Sequence, residues 1–497
     1  MRAMNLSQRE NYKWWVFAAV ALGTLTSVIN NGSVIVAVPT IAQHFGTDLS
    51  TVQWVVIAEG LTVSTLLLPM GRLSDIVGRK QVYVTGLIIF IVAAALAGMS
   101  PNIAALIVFK GMQGIGAAMT QGTGLAMVTS VFPASERGKG IGTHASVVGT
   151  GGVIGPVAGG FLVVALGWRW VFFINIWMGL LTMIAVLIII DSRAFRADTR
   201  VRTYDLLGAV LSSAALLTFL LAVTNGARTG WLSPTIVTAG IMFVILAAVF
   251  IWWQGRSPSP MLDLGLFKNR VFALGVATGF MSFLGVTSVR FLLPFFLQAA
   301  LGYSPGQVGL VMVPNAISRI IMGPLSGLLS DRYGYRMFNV AGLLLAASGL
   351  FVFSTVNESS SLAVILIGVV LQSSGSGMFQ SPNNSSIFGA ADPSKHGIVA
   401  ALVNLTRNSA NVTGVAVATA IVTAVMASQG FDANIDEVIE SGKETGMLGA
   451  FNSGLHIAYL IMGSLLVVGA LASLFKGRDR REVPESETPS TSKKASS

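Results

Sequence analysis

The sequence contains no cysteine and carries little charge: its 497 residues include 31 Lys or Arg, 21 Asp or Glu and 4 His. The lack of cysteine excludes disulfides, thiolate metal ligands and cysteine nucleophiles. Charged residues make up 10% of the chain and hydrophobic residues 53%, which is too little polar surface for an ordinary soluble domain. The composition therefore predicts a membrane protein.

Motifs that would support an enzyme are also missing. No phosphate-binding loop of the form GxxxxGK[ST] occurs, which argues against ATP-driven chemistry within this chain. The sequence shows neither a metal-ligand cluster nor a hydrolytic constellation, so we predict no enzyme activity, no cofactor and no metal. The net charge of +10 does not indicate nucleic-acid binding, because cytoplasmic loops of membrane proteins collect Lys and Arg.

Long apolar runs recur along the chain, and charged or turn residues divide them into fourteen segments. Each segment can cross a bilayer as a helix of about 20 residues. An even number of spans places both termini on one side of the membrane. If that side is the cytoplasm, Arg169, Arg228 and Lys443 are the only basic residues in the outer loops. This asymmetry predicts an integral plasma-membrane protein with both termini in the cytoplasm.

A ten-residue segment is repeated at equivalent places in the chain. Residues 71–80 read GRLSDIVGRK after span 2, and residues 327–336 read GLLSDRYGYR after span 10, 256 residues later. Two halves in the same orientation are related by an axis along the membrane normal, as in transporters built from parallel repeats. Spans 7 and 8 then lie between the halves, which predicts an all-α fold of six, two and six helices.

These boundaries divide the chain into five predicted parts. They are a cytoplasmic N-terminal segment (1–13), an N-terminal six-helix bundle (14–190), an inserted helix pair with flanking loops (191–268), a C-terminal six-helix bundle (269–476) and a disordered cytoplasmic tail (477–497).

Small residues recur at fixed spacings in span 5. Glycine at every fourth position leaves one helix face without side chains, so that a second backbone can approach closely, and a proline in the same face bends the helix. An ordinary packing face explains a single pair of such glycines but not six positions in register. The six positions are Gly142, Gly151, Gly155, Pro156, Gly159 and Gly160.

This register resembles the antiporter motif of the major facilitator superfamily. Further segments resemble its fourteen-helix drug:proton antiporter branch: KGMQG at 110–114, WRWVFFIN at 168–175, and Pro382 to Asn384 with Gly397, Asn404 and Arg407. The resemblance implies alternating access and the export of amphipathic organic compounds, including drugs, in exchange for protons. It also implies that the span 5 motif seals the inner half of the interface against span 10.

The repeated loops resemble the cytoplasmic gate of the superfamily. By that resemblance, Asp75 and Arg79 in the first loop form a charge pair in one state and break it in the other, and Asp331 has the same role in the second loop. Topology and helix capping alone would also explain such loops.

Span 1 departs from the pattern of the branch. The branch carries an aspartate where this sequence has Asn30, within INNGSVIVAVP, and an amide cannot exchange a proton near neutral pH. Among the acidic residues, Glu59 in span 2 alone lies well inside a predicted span. A carboxylate near the middle of a bilayer costs about 2.5 to 3.5 kcal/mol, which makes Glu59 the candidate proton-coupling residue.

Depth along the helices suggests a partner for this carboxylate. Glu59 and Lys110 each lie about 10 Å from the outer ends of their spans at 1.5 Å per residue. Three interpretations remain open: a structural ion pair, a proton site modulated by Lys110, or direct contact of Glu59 with substrate. We predict a substrate cavity lined by Asn30, Asn31, Glu59, Lys110, Gln113 and Arg290.

Buried bases outnumber this single acid, since Lys110, Arg290, Arg319 and Arg407 also lie within spans. The 256-residue offset sets Arg290 opposite Val34 and therefore near the central cavity. The alternative function is export or exchange of organic anions or lipid-like acids, recognised by Arg290 and not coupled through Glu59. The expected partners are a small amphipathic substrate, protons and membrane lipids, with no nucleic acid, and the protein is expected to be a monomer.

Overall fold

A computed structural model describes residues 11–133, 137–191, 205–230, 232–258, 260–392, 396–431 and 446–476. The predictions made for residues 1–10 and for the tail at 477–497 lie outside these ranges.

The described ranges are helical almost throughout, and they contain 14 helical segments long and apolar enough to cross a membrane. The helices are α1 (Tyr12–Phe45), α2 (Leu49–Val52), α3 (Trp54–Val77), α4 (Arg79–Gly98), α5 (Ile103–Val131), α6 (Arg137–Leu166), α7 (Trp170–Ile189), α8 (Leu206–Thr229), α9 (Pro234–Gln254), α10 (Arg270–Ala299), α11 (Pro305–Val311), α12 (Val313–Tyr333), α13 (Tyr335–Phe353), α14 (Leu362–Gly389), α15 (His396–Ser428) and α16 (Met447–Leu474). A short 3-10 helix, Leu264–Lys268, precedes α10.

The sequence repeat is visible in the shape of spans 2 and 10. Each begins with a short capped helix: Asp48 caps α2 by accepting from the Thr51 amide, and Ser304 caps α11 in a capping box with Gln307. Each short helix then leads into the long helix of the span, α3 or α12. The repeated segments, predicted as loops, form the last turns of α3 and α12 and the starts of α4 and α13, with Gly78 and Gly334 between the helices at the same end of the bundle. We call this end, which is predicted to be cytoplasmic, the inner end.

Helices α1–α7 form the N-terminal half and α10–α16 the C-terminal half. The inserted pair contacts both, because α8 packs on α3 from the first half and on α15 from the second. Ser213 on α8 donates a hydrogen bond of 2.8 Å to the carbonyl of Thr65 on α3. By contrast, α9 packs mainly on α8 and leaves most of its apolar surface exposed, as suits a helix that faces lipid.

Asp205 anchors the inserted pair at the inner end. Its carboxylate accepts from the Gly208 amide (2.9 Å), the Trp253 indole (2.7 Å) and the Gln254 side chain (2.9 Å). Burial alone would raise the pKa of Asp205, but these hydrogen bonds to the charged form hold it below its usual range. The contact therefore stabilises the pair above the unfolded-state pKa of about 3.9, and its contribution is lost as pH falls through the lower folded value.

The glycine motif of α6 packs mainly against α1, within the same half. A side-chain carbon at Gly155 would lie 2.9 Å from the Cα of Gly32, and one at Gly159 would lie 2.5 Å from the Cα of Ser33. The Ser33 hydroxyl donates to the Gly155 carbonyl at 2.8 Å. These contacts are possible only between helix faces that lack side chains. The surroundings of Gly142 lie outside the described residues.

The far end of the same motif touches the C-terminal half. A side-chain carbon at Gly160 would lie 2.5 Å from the Pro305 carbonyl oxygen, and one at Gly309 would lie 3.1 Å from the Pro156 carbonyl oxygen. Because α11 begins span 10 at the outer end, this contact closes the outer half of the interface. The expectation that the motif seals the inner half is therefore wrong: glycine spacing defines a packing face, but the direction of α6 places Pro156 and Gly160, which make this contact, nearer its outer end.

We predict that Gly159→Ala destabilises the protein by about 1–3 kcal/mol, because its new methyl group has no space against the backbone of Ser33. The control is Gly149→Ala on the same helix, where an added carbon meets nothing within 4 Å. Thermal unfolding in detergent should show a lower transition for the first variant only. Equal transitions would contradict the close α1–α6 contact.

Candidate functional site

The most buried charges of the N-terminal half meet where α1, α3 and α5 converge. Glu59 on α3 and Lys110 on α5 are each 1% exposed, and Asn30 on α1 is 0% exposed. The Lys110 ammonium forms an ion pair with the Glu59 carboxylate. Asn30 donates from Nδ2 to both carboxylate oxygens, at 3.1 and 3.0 Å. The carboxylate is thus held from two sides, and three helices are joined through it.

A fourth helix fixes the orientation of this group. Asn175 on α7 donates from Nδ2 to the Asn30 side-chain oxygen at 3.0 Å and to the Val171 carbonyl at 2.8 Å. Because the Asn30 oxygen is occupied as an acceptor, its NH₂ group faces Glu59. The Lys110 ammonium also donates to the Gln113 side-chain oxygen at 2.8 Å. We call Asn30, Glu59, Lys110, Gln113 and Asn175 the polar network.

Glycine lets the polar network form. Gly114 follows Gln113 on α5, and a side-chain carbon there would lie 2.7 Å from the Glu59 carbonyl oxygen. A larger residue would therefore push α5 away from α3 and pull the Lys110 ammonium from the carboxylate. This explains in physical terms why KGMQG carries its glycine directly after the two polar residues.

The charges of the network are paired, but two of its polar atoms lack a hydrogen-bond partner among the described residues. The Gln113 amide nitrogen and the Asn175 side-chain oxygen are buried, and neither has a hydrogen-bond partner among the described residues. A buried ion pair is electrically neutral, whereas loss of either partner leaves an uncompensated charge at a penalty of about 3–5 kcal/mol. A proton on Glu59 would in the same way leave the Lys110 ammonium as an uncompensated buried charge.

The structure brings together four of the residues predicted to line the cavity: Asn30, Glu59, Lys110 and Gln113. It does not bring in Asn31, whose side chain donates to the Ser27 carbonyl on its own helix at 3.1 Å. Sequence reasoning noted Asn175 only as part of a family segment and missed its place in the network. The available signal was an amide side chain in the otherwise apolar span 6.

A second group of charges lies in the C-terminal half. Arg290 on α10, Arg319 on α12 and Arg407 on α15 are partly exposed, and Arg290 interacts electrostatically with each of the other two. Arg319 donates to the Gln380 side-chain oxygen at 2.8 Å. Over the described ranges, neither Arg290 nor Arg407 has a hydrogen bond or ion pair to another side chain. We call these three residues the arginine group; Arg290 is thus separate from the polar network.

Two histidines within the spans, His144 and His456, have hydrogen-bond partners. The His144 ring nitrogen Nε2 lies 2.9 Å from the Thr24 hydroxyl, and the ring interacts electrostatically with Arg407. His456 donates from Nε2 to the Val356 carbonyl at 2.6 Å. This arrangement of His456 is that of a packed helix contact.

The basic residues of the first repeated loop hold neighbouring helix ends. Arg79 donates to the Ala126 carbonyl at 3.1 Å, and Lys80 donates to the carbonyls of Leu187 and Ile190 at the end of α7. The side chains of Asp75 and Asp331 lie outside the described residues. Their gating role, with that of Arg79, stays a prediction.

Comparison with known proteins identifies the class of the molecule. The sequence profile of the Major Facilitator Superfamily matches residues 20–415, with a second match over 275–497. The chain therefore belongs to this superfamily, whose members are transporters and not enzymes. The predicted all-α fold with fourteen membrane-spanning segments is confirmed.

Relatives of known name are similar over most of their length. The riboflavin transporter RibZ of Clostridioides difficile is 32% identical over 396 residues, covering 80% of this chain and 85% of the relative. The multidrug resistance protein Stp of Mycobacterium tuberculosis is 32% identical over 400 residues, covering 80% of this chain and 74% of the relative. Together with the fourteen spans, such relatives support the predicted drug-transporter branch.

Among solved structures, a bacterial homologue of the human lysosomal transporter Spinster is similar in fold. It has a TM-score of 0.66 and 16% identity, with 94% of this chain and 97% of that chain covered. At this identity the likeness shows the fold alone.

We predict a strong energetic coupling between Glu59 and Lys110. Glu59→Gln and Lys110→Met should each lower the thermal unfolding transition in detergent, because each leaves one buried charge without its partner. The double variant should recover most of the loss, since both charges are then gone. Asn31→Ala, one residue from the network, serves as the control and should have little effect. Additive losses in the double variant would contradict the coupling.

Proposed function

We propose that this protein is a secondary active transporter that exports amphipathic organic compounds in exchange for protons. It would work by alternating access between its two halves, as a monomer in the plasma membrane with both termini in the cytoplasm. The names of its relatives, a multidrug resistance protein and a riboflavin transporter, support small organic substrates as the class. We assign the proton to Glu59.

The polar network is the observation that carries this proposal. With Glu59 ionised, Lys110 and Asn30 hold α1, α3 and α5 together through one carboxylate. A proton on Glu59 removes the ion pair and loosens this junction. The network then has one arrangement for each protonation state, and a two-state element of this kind can bias access to one side of the membrane.

Energy for uphill export would come from the proton gradient and the membrane potential. Each charge that moves inward contributes about 2.3 kcal/mol per 100 mV. For a strict exchange, the proton and the substrate must not be bound together. In this proposal the substrate binds when Glu59 is ionised, and a proton replaces it in the return step.

The arginine group favours a second candidate, export or exchange of organic anions. The charge of Glu59 is already matched by Lys110, so Arg290, Arg319 and Arg407 leave an excess of positive charge in the C-terminal half. Unpaired guanidinium groups favour carboxylates, sulfonates or phosphates, which accept their hydrogen bonds. In this candidate Arg290 recognises the anion and Glu59 does not couple transport.

One transport experiment distinguishes the candidates. Proteoliposomes with an internal pH indicator are given ethidium as a lipophilic cation, riboflavin as a neutral compound and a sulfonated dye as an anion. For the proton exchanger we expect ethidium or riboflavin to move protons in wild type, with at least about tenfold loss in Glu59→Gln and little change in Asn31→Ala.

The opposite result supports the anion candidate. Transport of the sulfonated dye that is lost in Arg290→Gln and unchanged in Glu59→Gln would overturn the assignment of the proton to Glu59. Absence of substrate-driven flux for all three probes in wild type, with protein that unfolds at its normal temperature, would count against both substrate classes.

A further inference from the structure

The inner end of the C-terminal half carries a groove of about 680 Å³ between the start of α13 and the end of α16. Two arginines, Arg332 and Arg336, lie at its inner rim. Apolar side chains line the rest, among them Val340, Leu344 and Leu474. The groove therefore has one cationic end and one hydrophobic end.

The basic residue at the equivalent place in the N-terminal half is engaged in packing between helices. Lys80 of the first repeat corresponds to Arg336 of the second, 256 residues later. Lys80 donates to the carbonyls of Leu187 and Ile190, and so ties its loop to the end of α7. Arg336 makes no hydrogen bond or ion pair to another residue in the ranges described. In the first half this basic residue, Lys80, holds two helices together, whereas in the second half Arg336 can bind a ligand in the groove.

The dimensions of the groove fit a molecule with a charged head and apolar chains. Leu344 lies eight residues after Arg336 on α13, which corresponds to about 12 Å into the membrane at 1.5 Å per residue. Met337 is 60% exposed and Leu344 46% exposed, so this face of α13 is open to the lipid phase. The Arg332 guanidinium lies 5.5 Å from the ring of Tyr333, an aromatic residue at the depth where lipid headgroups begin.

We propose that this groove binds an anionic phospholipid from the leaflet at the inner end. Arg332 and Arg336 hold the phosphate, because guanidinium groups donate paired hydrogen bonds to phosphate oxygens. The acyl chains follow Val340 and Leu344 and cover the apolar end of the groove. The lipid thereby joins α13 to the end of α16, a contact that Lys80 provides through protein atoms alone in the other half.

Native mass spectrometry of the full chain tests this site. The purified protein is titrated with dioleoyl phosphatidylglycerol and, separately, with dioleoyl phosphatidylcholine. Wild type should bind the anionic lipid more tightly. In the double variant Arg332→Gln/Arg336→Gln, the ratio of the two affinities should fall at least about tenfold. Each basic residue near an anionic headgroup contributes about fivefold in affinity.

Two further variants make the test specific. Arg256→Gln removes an arginine that stacks on Trp252 at the inner end of α9, away from the groove, and should keep the wild-type preference. Leu344→Trp fills the apolar end and should weaken binding of both lipids at this site. Equal binding of the two lipids by wild type, or an unchanged preference in the double arginine variant, would overturn the proposal. A dimer that disappears in Leu344→Trp would assign the groove to a second copy and would also overturn it.

Discussion

The interaction on which the N-terminal half depends is the buried ion pair between Glu59 and Lys110. An ionised carboxylate cannot remain unpaired among apolar helices, because the penalty amounts to several kcal/mol. Its partners must therefore come from neighbouring helices, and they fix where those helices lie. Lys110 supplies the opposite charge from α5 and Asn30 supplies two hydrogen bonds from α1. Gly114 allows the close approach of α5 that this arrangement requires.

The two halves differ in how their charges are balanced. In the N-terminal half the acid and the base cancel, and the surrounding amides orient them. In the C-terminal half Arg290, Arg319 and Arg407 are not cancelled by a carboxylate within the described ranges. The halves meet closely at the outer end, where Gly160 packs on Pro305. The proposed function therefore assigns the proton to the neutral network of one half, and the alternative assigns an anionic substrate to the positive group of the other.

Much of this architecture could be predicted from the sequence, because long apolar runs and an offset of 256 residues are features of the chain itself. The pairing of Glu59 with Lys110 could also be anticipated, since equal depth on neighbouring spans leaves few alternatives. The hydrogen-bond partners of Asn30 and Asn31 could not be predicted. Adjacent residues on a helix point about 100° apart, and which of them faces a neighbouring helix depends on packing. The error in span 5 has a related cause: glycine spacing predicts a close contact, but it does not show at which end of the helix the contact with span 10 lies.

The central claim is that Glu59 carries the exchanged proton, and infrared difference spectroscopy of the purified protein tests it most directly. On acidification, wild type should gain the C=O band of a protonated carboxylic acid, and Glu59→Gln should lack it. Addition of a transported probe should move the midpoint of this band to lower pH, because substrate and proton compete for the polar network. A band that persists in Glu59→Gln, or a midpoint that the probe does not move, would contradict the account.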